Sequence, residues 1–125
     1  MTVGSVEADG DVRVRVTVEG SDGGLRTVDA VLDTGFNGFL TLSAAELAAL
    51  GLRRKSETRV QLADGERYPV STYQAPVALG EDESPGSVVD IFEAGEALVG
   101  AGLLWDCDLH IRYVAGGRVE IEAIP

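Results

Sequence analysis

The first third of the chain alternates apolar and polar residues with a period of two, the pattern of half-buried β-strands. Between positions 12 and 18, valines alternate with arginines and a threonine. Residues 19–24 are rich in glycine and in side chains that tolerate positive φ, so they predict a hairpin turn. A second strand is predicted over residues 25–32, and it runs directly into Asp33-Thr34-Gly35.

One short helix is predicted shortly after the second strand. Residues 39–42 form an apolar run, and Ser43 and Glu46 then have the spacing of a capping box. Residues 44–50 are good helix formers, and Gly51 suits the left-handed position at which many helices end. The pattern therefore indicates a helix of two turns.

Strands and turns are predicted for most of the remaining chain. Strand-like runs at 57–62 and 66–73 flank Ala63-Asp64-Gly65, and Asp-Gly between two such runs is a strong hairpin signal. Residues 80–86 form a polar, acidic loop, and residues 115–117 favour another turn. The further predicted strands cover residues 75–79, 88–92, 109–114 and 118–124.

The composition fits one folded domain of the all-β class. The chain has 125 residues, of which 45% are hydrophobic and 25% charged, and it contains no internal repeat or linker. We therefore predict a single domain over residues 1–125. The net charge of −11 would repel phosphate backbones and anionic lipids, so nucleic acid and membranes are not expected partners. The acidity fits either simple solubility or attraction of basic peptides.

The residue inventory narrows the candidate chemistry to carboxylates. Cys107 is the single cysteine, which rules out an intrachain disulfide and a thiolate zinc cluster. His110 is the single histidine, and its alternating strand favours a surface position over a catalytic role. No glycine-rich phosphate loop precedes the helix, so neither a cofactor nor a metal is expected. The first residues show no signal-peptide pattern, and a cytoplasmic location is expected.

Asp33 is the carboxylate that its surroundings single out. It ends an apolar strand, and Thr34 and Gly35 follow it. Glycine lets a backbone N–H approach the carboxylate closely, and the threonine hydroxyl can form a hydrogen bond across an interface. The alternative is an acidic residue that starts an ordinary turn.

The segment Ala30-Val31-Leu32-Asp33-Thr34-Gly35 resembles the active-site motif of retroviral-type (retropepsin-like) aspartic proteases, in particular their bacterial and archaeal branch. In that family a glycine-tipped hairpin, the flap, follows the active-site loop, and Asp64-Gly65 looks similar. An apolar-apolar-Gly segment and a short helix come later, as in residues 98–100 and 101–104. The resemblance covers roughly residues 12–124 and implies an all-β retropepsin-like barrel closed by homodimerisation.

The resemblance also implies a function and the residues that perform it. The protein would be a homodimeric aspartic endopeptidase with C2 symmetry, in which Asp33 of both subunits activates a water that hydrolyses an extended peptide or unfolded protein segment. Thr34 and Gly35 would complete the catalytic motif. Asp64 and Gly65 would form the flap tip that contacts the substrate.

The sequence differs from the family pattern in two places, so other interpretations of the function are retained. Phe36 stands where alanine or serine is common in the family, and residues 43–50 form a helix that viral members lack. Phe36, Leu98 and Val99 could line substrate pockets or belong to the core. A non-catalytic peptide-binding or assembly domain with the same fold, or a plain structural barrel, is the alternative to a peptidase.

Overall fold

The computed structural model describes residues 1–61 and 64–125. Within these residues the strands are β1 (Thr2–Val6), β2 (Val12–Glu19), β3 (Leu25–Leu32), β4 (Leu40–Leu42), β5 (Ser56–Gln61), β6 (Arg67–Leu79), β7 (Ser87–Glu93), β8 (Leu98–Val99), β9 (Cys107–Ile111) and β10 (Arg118–Ala123). One α-helix, α1, covers Ala44–Ala49, and a 3₁₀ turn covers Ala101–Leu104. The predicted all-β class with a short helix is confirmed. No helix in the described ranges is long and apolar enough to cross a membrane.

Six strands close into a ring of hydrogen-bonded neighbours in the order β2, β3, β8, β4, β7, β6 and back to β2. Closure occurs because β2 is shared along one edge. Its first half pairs with β1, as in Val14 opposite Gly4, while its second half pairs with β6, as in Val16 opposite Leu79. Closure of the sheet removes the free edges that an open sheet would leave.

The other strands extend the sheet beyond this ring. At one end of the sheet, β2 pairs with β1, β1 with β10, and β10 with β9. At the opposite end, β5 pairs with β6. Among the described residues, β5 and β9 are therefore the two strands that pair along one edge alone. The outer edges of these two strands are free to accept a further strand.

The core lies inside the ring and follows the predicted alternation. Val14, Val16 and Val18 point inward along β2 and are at most 1% exposed. The side chains of Leu40 and Ile91, from the parallel neighbours β4 and β7, are fully buried among them. Burying each such side chain contributes about 1.5–3 kcal/mol.

The local signals at the helix are confirmed. The Ser43 hydroxyl accepts a hydrogen bond from the Glu46 N–H, and the Glu46 carboxylate accepts one from the Ser43 N–H. At the other end, Gly51 has φ +67° and donates to the Ala48 carbonyl, while Leu52 donates to the Leu47 carbonyl. This pair of bonds is a Schellman motif, which satisfies the last helical carbonyls.

The strands differ from the prediction in number and in their boundaries. β1, β4 and β8 were not predicted as strands. β6 runs unbroken over Arg67–Leu79, because Gln74 stays in the ladder and donates a side-chain hydrogen bond to Asp90 on β7. β9 begins and ends earlier than predicted, since beyond Arg112 the chain turns back on itself with a Val114 N–H to Arg112 carbonyl bond. The predicted strand end at 62 and turn residue at 63 lie outside the described residues.

Candidate active site

Asp33 is fixed at the end of β3 by the short strand β8. β3 and β4 run antiparallel to each other, and β8 lies between them, parallel to β3 and antiparallel to β4. The ladder pairs Leu32 with Val99, and the Asp33 N–H donates to the Val99 carbonyl at 2.9 Å. The backbone of Asp33 is therefore held by a strand that follows it by more than sixty residues in sequence.

The Asp33 carboxylate is held by its own loop. Its Oδ1 accepts a hydrogen bond from the Gly35 N–H at 3.0 Å, and the Asp33 carbonyl accepts one from the Phe36 N–H at 3.1 Å. A Cβ at position 35 would lie only 3.2 Å from that carboxylate oxygen. Asp33 is half-buried, while Thr34 and Gly35 are exposed. The close backbone approach expected of glycine 35 is present, and the loop tip faces away from the core.

Backbone hydrogen bonds tie the Asp33 loop to the segment after β8. The Ala101 N–H donates to the Phe36 carbonyl at 2.8 Å, and the Gly102 N–H donates to the Gly38 carbonyl at 3.0 Å. The two chains pack so closely that a Cβ at Gly100 would overlap the Gly38 carbonyl oxygen. Glycine at 100 is thus required by the approach of two backbones, not by its φ of −95°.

The Phe36 side chain is part of this packing. Its half-buried ring lies over the positions where Gly38 and Gly100 lack side chains, and it packs at a tilt against Phe92 with ring centroids 6.0 Å apart. Val99 is fully buried and belongs to the core, whereas Leu98 is half-buried. Of the three residues left open between pocket and core, Val99 is settled as core.

Thr41 stabilises the start of β8, the strand that holds Asp33, although the sequence analysis did not identify it. Its buried hydroxyl donates to the Glu96 carbonyl and accepts from the Leu98 N–H, both at 2.8 Å. These bonds fix the start of β8, the strand that holds Asp33. A threonine between two leucines of an apolar run is the signal that could have indicated a buried polar contact.

The candidate flap lies on a different part of the chain, the β5–β6 hairpin. Gly65 has φ +84°, as an Asp-Gly turn requires. Asp64 accepts a hydrogen bond from the Glu66 N–H at 2.9 Å and one from the Tyr68 hydroxyl at 2.8 Å. In the described part of the chain, these bonds stay within the hairpin and do not reach the Asp33 loop.

The bonds to Asp64 give a prediction about the hairpin turn. The Glu66 N–H, and secondly the Tyr68 hydroxyl, hold the pKa of Asp64 below its ordinary value. Tyr68→Phe removes the second donor, so we expect the pKa of Asp64 to rise part of the way back. Carboxyl NMR titration measures this directly. An unchanged pKa in the variant would show that the hydroxyl makes no such bond in solution.

The sign of the pH effect follows from the lowered pKa. The turn's contribution to stability is complete above the ordinary pKa of Asp64 and is lost as the pH falls through the lowered folded-state value. The hairpin should therefore keep its Asp64 contacts at mildly acidic pH. Asp64 is fully exposed, so the effect on global stability is small.

The remaining candidate residues lie elsewhere. His110 is exposed on β9, as its alternating strand predicted, and Cys107 is half-buried on the same strand. Across residues 1–61 and 64–125, no group of three or more His, Cys, Asp or Glu side chains is placed to hold a metal ion.

The chain resembles known proteins in sequence and in fold. Residues 14–104 match the family model described as aspartyl protease, a span that includes the Asp33 loop and β8. A solved structure, the retropepsin-like aspartic protease from Rickettsia conorii, superposes with a TM-score of 0.62 at 15% identity, covering 97% of this chain and 89% of that chain. No curated protein matches the sequence. Since the family match spans most of the chain, the protein belongs to the aspartyl protease family, with a retropepsin-like fold.

Proposed function

We propose that the protein is a homodimeric aspartic endopeptidase whose active site contains Asp33 from each of two subunits. The observation that carries this proposal is the Asp33 carboxylate itself. It is held by the Gly35 N–H at 3.0 Å, on a loop whose tip is exposed. β8 binds the backbone of Asp33, whereas Thr34 and Gly35 at the tip of the loop are exposed. A second copy could therefore contact the tip without disturbing the core.

Two subunits are needed because the chemistry requires two carboxylates that share a proton. The chain contains a single Asp-Thr-Gly. Two carboxylates a few ångströms apart cannot both ionise, so one stays protonated and the other acts as a base, as the aspartic proteases illustrate. A two-fold axis beside the exposed Thr34 and Gly35 would supply the second Asp33.

In the proposed mechanism the ionised member of the Asp33 pair takes a proton from a water held between the two carboxyls. That water attacks the carbonyl carbon of the scissile peptide bond, while the protonated carboxyl donates its proton to the carbonyl oxygen. The C–N bond of the neutral tetrahedral diol then breaks as the protonated carboxyl transfers its proton to the leaving amine. One diol hydroxyl gives its proton to the ionised carboxyl, which restores the single shared proton of the pair. Activity requires one ionised and one protonated carboxyl, so the pH–rate profile should be bell-shaped. Its two apparent pKa values describe the coupled pair and not either Asp33 alone.

An extended peptide or unfolded protein segment is the substrate that this arrangement suits. β5, the first strand of the β5–β6 hairpin, pairs along one edge only, and the exposed turn of the hairpin at Asp64 and Gly65 could close over a bound chain. An extended peptide can form main-chain hydrogen bonds with such an edge. In this proposal Asp64 and Gly65 form the flap tip.

A non-catalytic peptide-binding domain is the second candidate, and Phe36 favours it. The ring of Phe36 fills the space beside Gly38 and Gly100 and offers no hydroxyl to the carboxylate. A fold retained for binding would tolerate this substitution. Binding of an extended peptide without any cleavage, together with indifference to changes at Asp33, would support this reading.

The dimeric site predicts that specific activity depends on protein concentration. On dilution below the dimer dissociation constant, specific activity towards an unstructured protein should fall in proportion to the remaining dimer. Activity assays and sedimentation on the same dilution series measure both quantities. Reconcentration of the sample serves as the control for inactivation. Constant specific activity in samples shown to be monomeric would contradict a shared site.

A further inference from the structure

The long strand β6 has a gap in its pairing, and this gap carries a further inference. One edge of β6 pairs with β7 across the whole middle of the strand. The other edge pairs first with β5, and this ladder ends at Thr72 opposite Ser56. The same edge then pairs with β2, and that ladder begins at Val77 opposite Val18. In the described part of the chain, residues 73–76 therefore have no strand beside them on this edge.

The alternation of the ladder shows which backbone groups of β6 face the gap. The Gly80 N–H donates to the Arg15 carbonyl at 2.8 Å and continues the pairing of β6 with β2. Hydrogen bonds to one neighbour recur at every second residue of an antiparallel strand, so even-numbered residues of β6 bond towards this edge. The N–H and C=O of Gln74 therefore face the gap. Pro76 is the next even-numbered residue, and it has no N–H to leave unpaired.

The gap forms the floor of an open cleft of about 560 Å³, called the β6 cleft below. One wall is the turn after β2, and the other is the segment that follows α1. The lining includes Glu19 and Ser21 from the turn, Arg53 and Lys55 from the segment, and Gln74 and Pro76 from the floor. None of the lining residues belongs to the Asp33 loop.

Backbone hydrogen bonds hold both walls of the cleft in place. The Ser21 N–H donates to the Leu50 carbonyl at 3.0 Å, which joins the turn to the end of α1. The Lys55 N–H donates to the Thr72 carbonyl at 2.7 Å, at the point where the gap begins. The cleft is therefore formed before any ligand arrives, and binding need not order its walls.

The cleft carries positive charge on a strongly negative protein. Residues 53–55 are Arg-Arg-Lys, three of the ten basic residues in a chain of net charge −11. Glu19 is the one acid among the six lining residues named above. The overall negative field repels an acidic polypeptide from most of the surface, whereas this run of three cations attracts it locally.

The cations beside the cleft are only weakly neutralised by the protein itself. Lys55 lies 3.7 Å from the Asp90 carboxylate, which also accepts a hydrogen bond from the Gln74 side chain. Both members of the Lys55–Asp90 pair are about half exposed, and such pairs contribute little. Within the described residues, Arg53 makes no ion pair within 4 Å. Arg53 and Lys55 can therefore both accept a new anionic partner.

We propose that the β6 cleft is a second peptide-binding site, which takes glutamate or aspartate side chains of an acidic polypeptide segment. A carboxylate in the cleft would accept the Gln74 N–H and pair with Arg53 and Lys55, and charge-assisted bonds of this kind are the strong ones. The role of the site rests on the proposed function, since the segment would belong to a substrate that is cleaved elsewhere along its length. The binding step itself does not depend on catalysis.

The length of the gap explains why side chains, and not an added strand, would fill it. Four residues of strand span about 13 Å at 3.3 Å per residue. β5 and β2 occupy the two ends of this stretch, so an extended chain cannot continue along β6 past either of them. A bound segment would instead cross the mouth of the cleft and insert carboxylates into it.

Fluorescence anisotropy of a labelled peptide of alternating glutamate and threonine tests the site. The peptide is blocked at both ends, so that side chains carry all of its charge, and the Asp33→Asn protein is used to prevent cleavage. At an ionic strength of about 0.15 M, long-range attraction is largely screened. The glutamate peptide should bind at least about tenfold more tightly than its glutamine counterpart. Equal binding of the two peptides would overturn the proposal.

Substitutions in the cleft should change the affinity in opposite directions. Arg53→Glu and Lys55→Glu should each raise the dissociation constant about tenfold, because each replaces an attraction by a repulsion. Glu19→Gln should lower it about threefold, because it removes a repulsion. Arg112→Glu, the same change at an exposed residue outside the cleft, is the matched control and should alter the constant by less than about twofold. Equal losses in Arg53→Glu and Arg112→Glu would contradict a localised site.

Amide exchange gives a readout that needs no substitution in the cleft. The Gln74 N–H faces the gap, so its exchange with solvent should slow when the glutamate peptide is bound. The Ala75 N–H bonds to β7 and should be protected with or without the peptide. Unchanged exchange at Gln74 in the saturated complex would overturn the assignment of the site. Displacement of the peptide by millimolar inorganic phosphate would also overturn it, since the site would then select phosphate and not a peptide carboxylate.

Cleavage kinetics separate this inference from the proposed function. Two substrates are compared that share one unstructured sequence, with and without a glutamate-rich tail. The tail should lower KM about tenfold, and this ratio should approach one in Arg53→Glu and persist in Arg112→Glu. If cleavage depends on Asp33 but the tail has no effect, the cleft proposal is wrong and the peptidase stands. If the glutamate peptide binds as expected but nothing is cleaved, the cleft stands as a binding site and the peptidase is wrong.

Discussion

Asp33→Asn is expected to lower kcat/KM for peptide cleavage by about 10⁴-fold, because the change removes the general base and the general acid of a symmetric site together. An amide neither takes a proton from water nor donates one as an acid. The substitution is isosteric, and the amide oxygen of the new side chain could still accept the Gly35 N–H, so the fold should be unaffected. Steady-state cleavage of an unstructured protein measures the loss.

The same strand supplies a matched control for that prediction. Asp29 is an exposed acid on β3, four residues before Asp33, and it opposes Arg15 of β2. Asp29→Asn makes the same chemical change away from the loop and should alter kcat/KM by less than about threefold. Equal losses in the two variants would show that the effect of Asp33→Asn is not catalytic.

Gly100→Ala is expected to disrupt the site through packing alone. A Cβ there would overlap the Gly38 carbonyl oxygen and lie 2.6 Å from Cδ2 of the Phe36 ring and 2.7 Å from the Phe36 carbonyl oxygen. Two of these three atoms are backbone, so the loop that carries Asp33 must move. We expect a loss of about 3 kcal/mol in the free energy of unfolding. Displacement of the loop should also cost about 100-fold in kcat.

Glycine 95 provides the comparison for this variant. It lies in the turn before β8, and a Cβ there would meet no atom within 4 Å among the described residues. Gly95→Ala should therefore change the free energy of unfolding by no more than about 0.5 kcal/mol and leave kcat unaltered. Thermal unfolding of both variants measures the change in stability, and activity assays measure kcat. A Gly100→Ala protein as stable and active as wild type would contradict the close packing described for this loop.

Local signals in the sequence predicted those parts of the fold that local interactions determine. The valine alternation of β2, the Ser43–Glu46 capping box and the left-handed Gly51 each depend on contacts within a few residues, and the structure contains all three. The Asp33 motif was found in the same way, from a carboxylate at the end of an apolar strand. Whether Asp33 performs catalysis stays a prediction.

Features that depend on distant contacts could not be predicted in this way. The two-residue strand β8 is too short to show any periodicity, yet its Val99 carbonyl holds the Asp33 backbone. The hydrogen bonds of the buried Thr41 hydroxyl also depend on distant contacts, because its partners Glu96 and Leu98 follow it by more than fifty residues. Separate strands were predicted over residues 66–73 and 75–79, whereas pairing with β7 makes β6 continuous through Gln74.

Mixing of subunits tests the shared active site most directly. Wild-type protein and the Asp33→Asn variant are combined in equal amounts, allowed to exchange subunits, and assayed at fixed total concentration. If each site needs one Asp33 from each subunit, mixed dimers are inactive, and activity should fall to about one quarter of that of the wild type alone. A fall to about one half would mean that each subunit carries its own complete site, which would contradict a shared Asp33 pair.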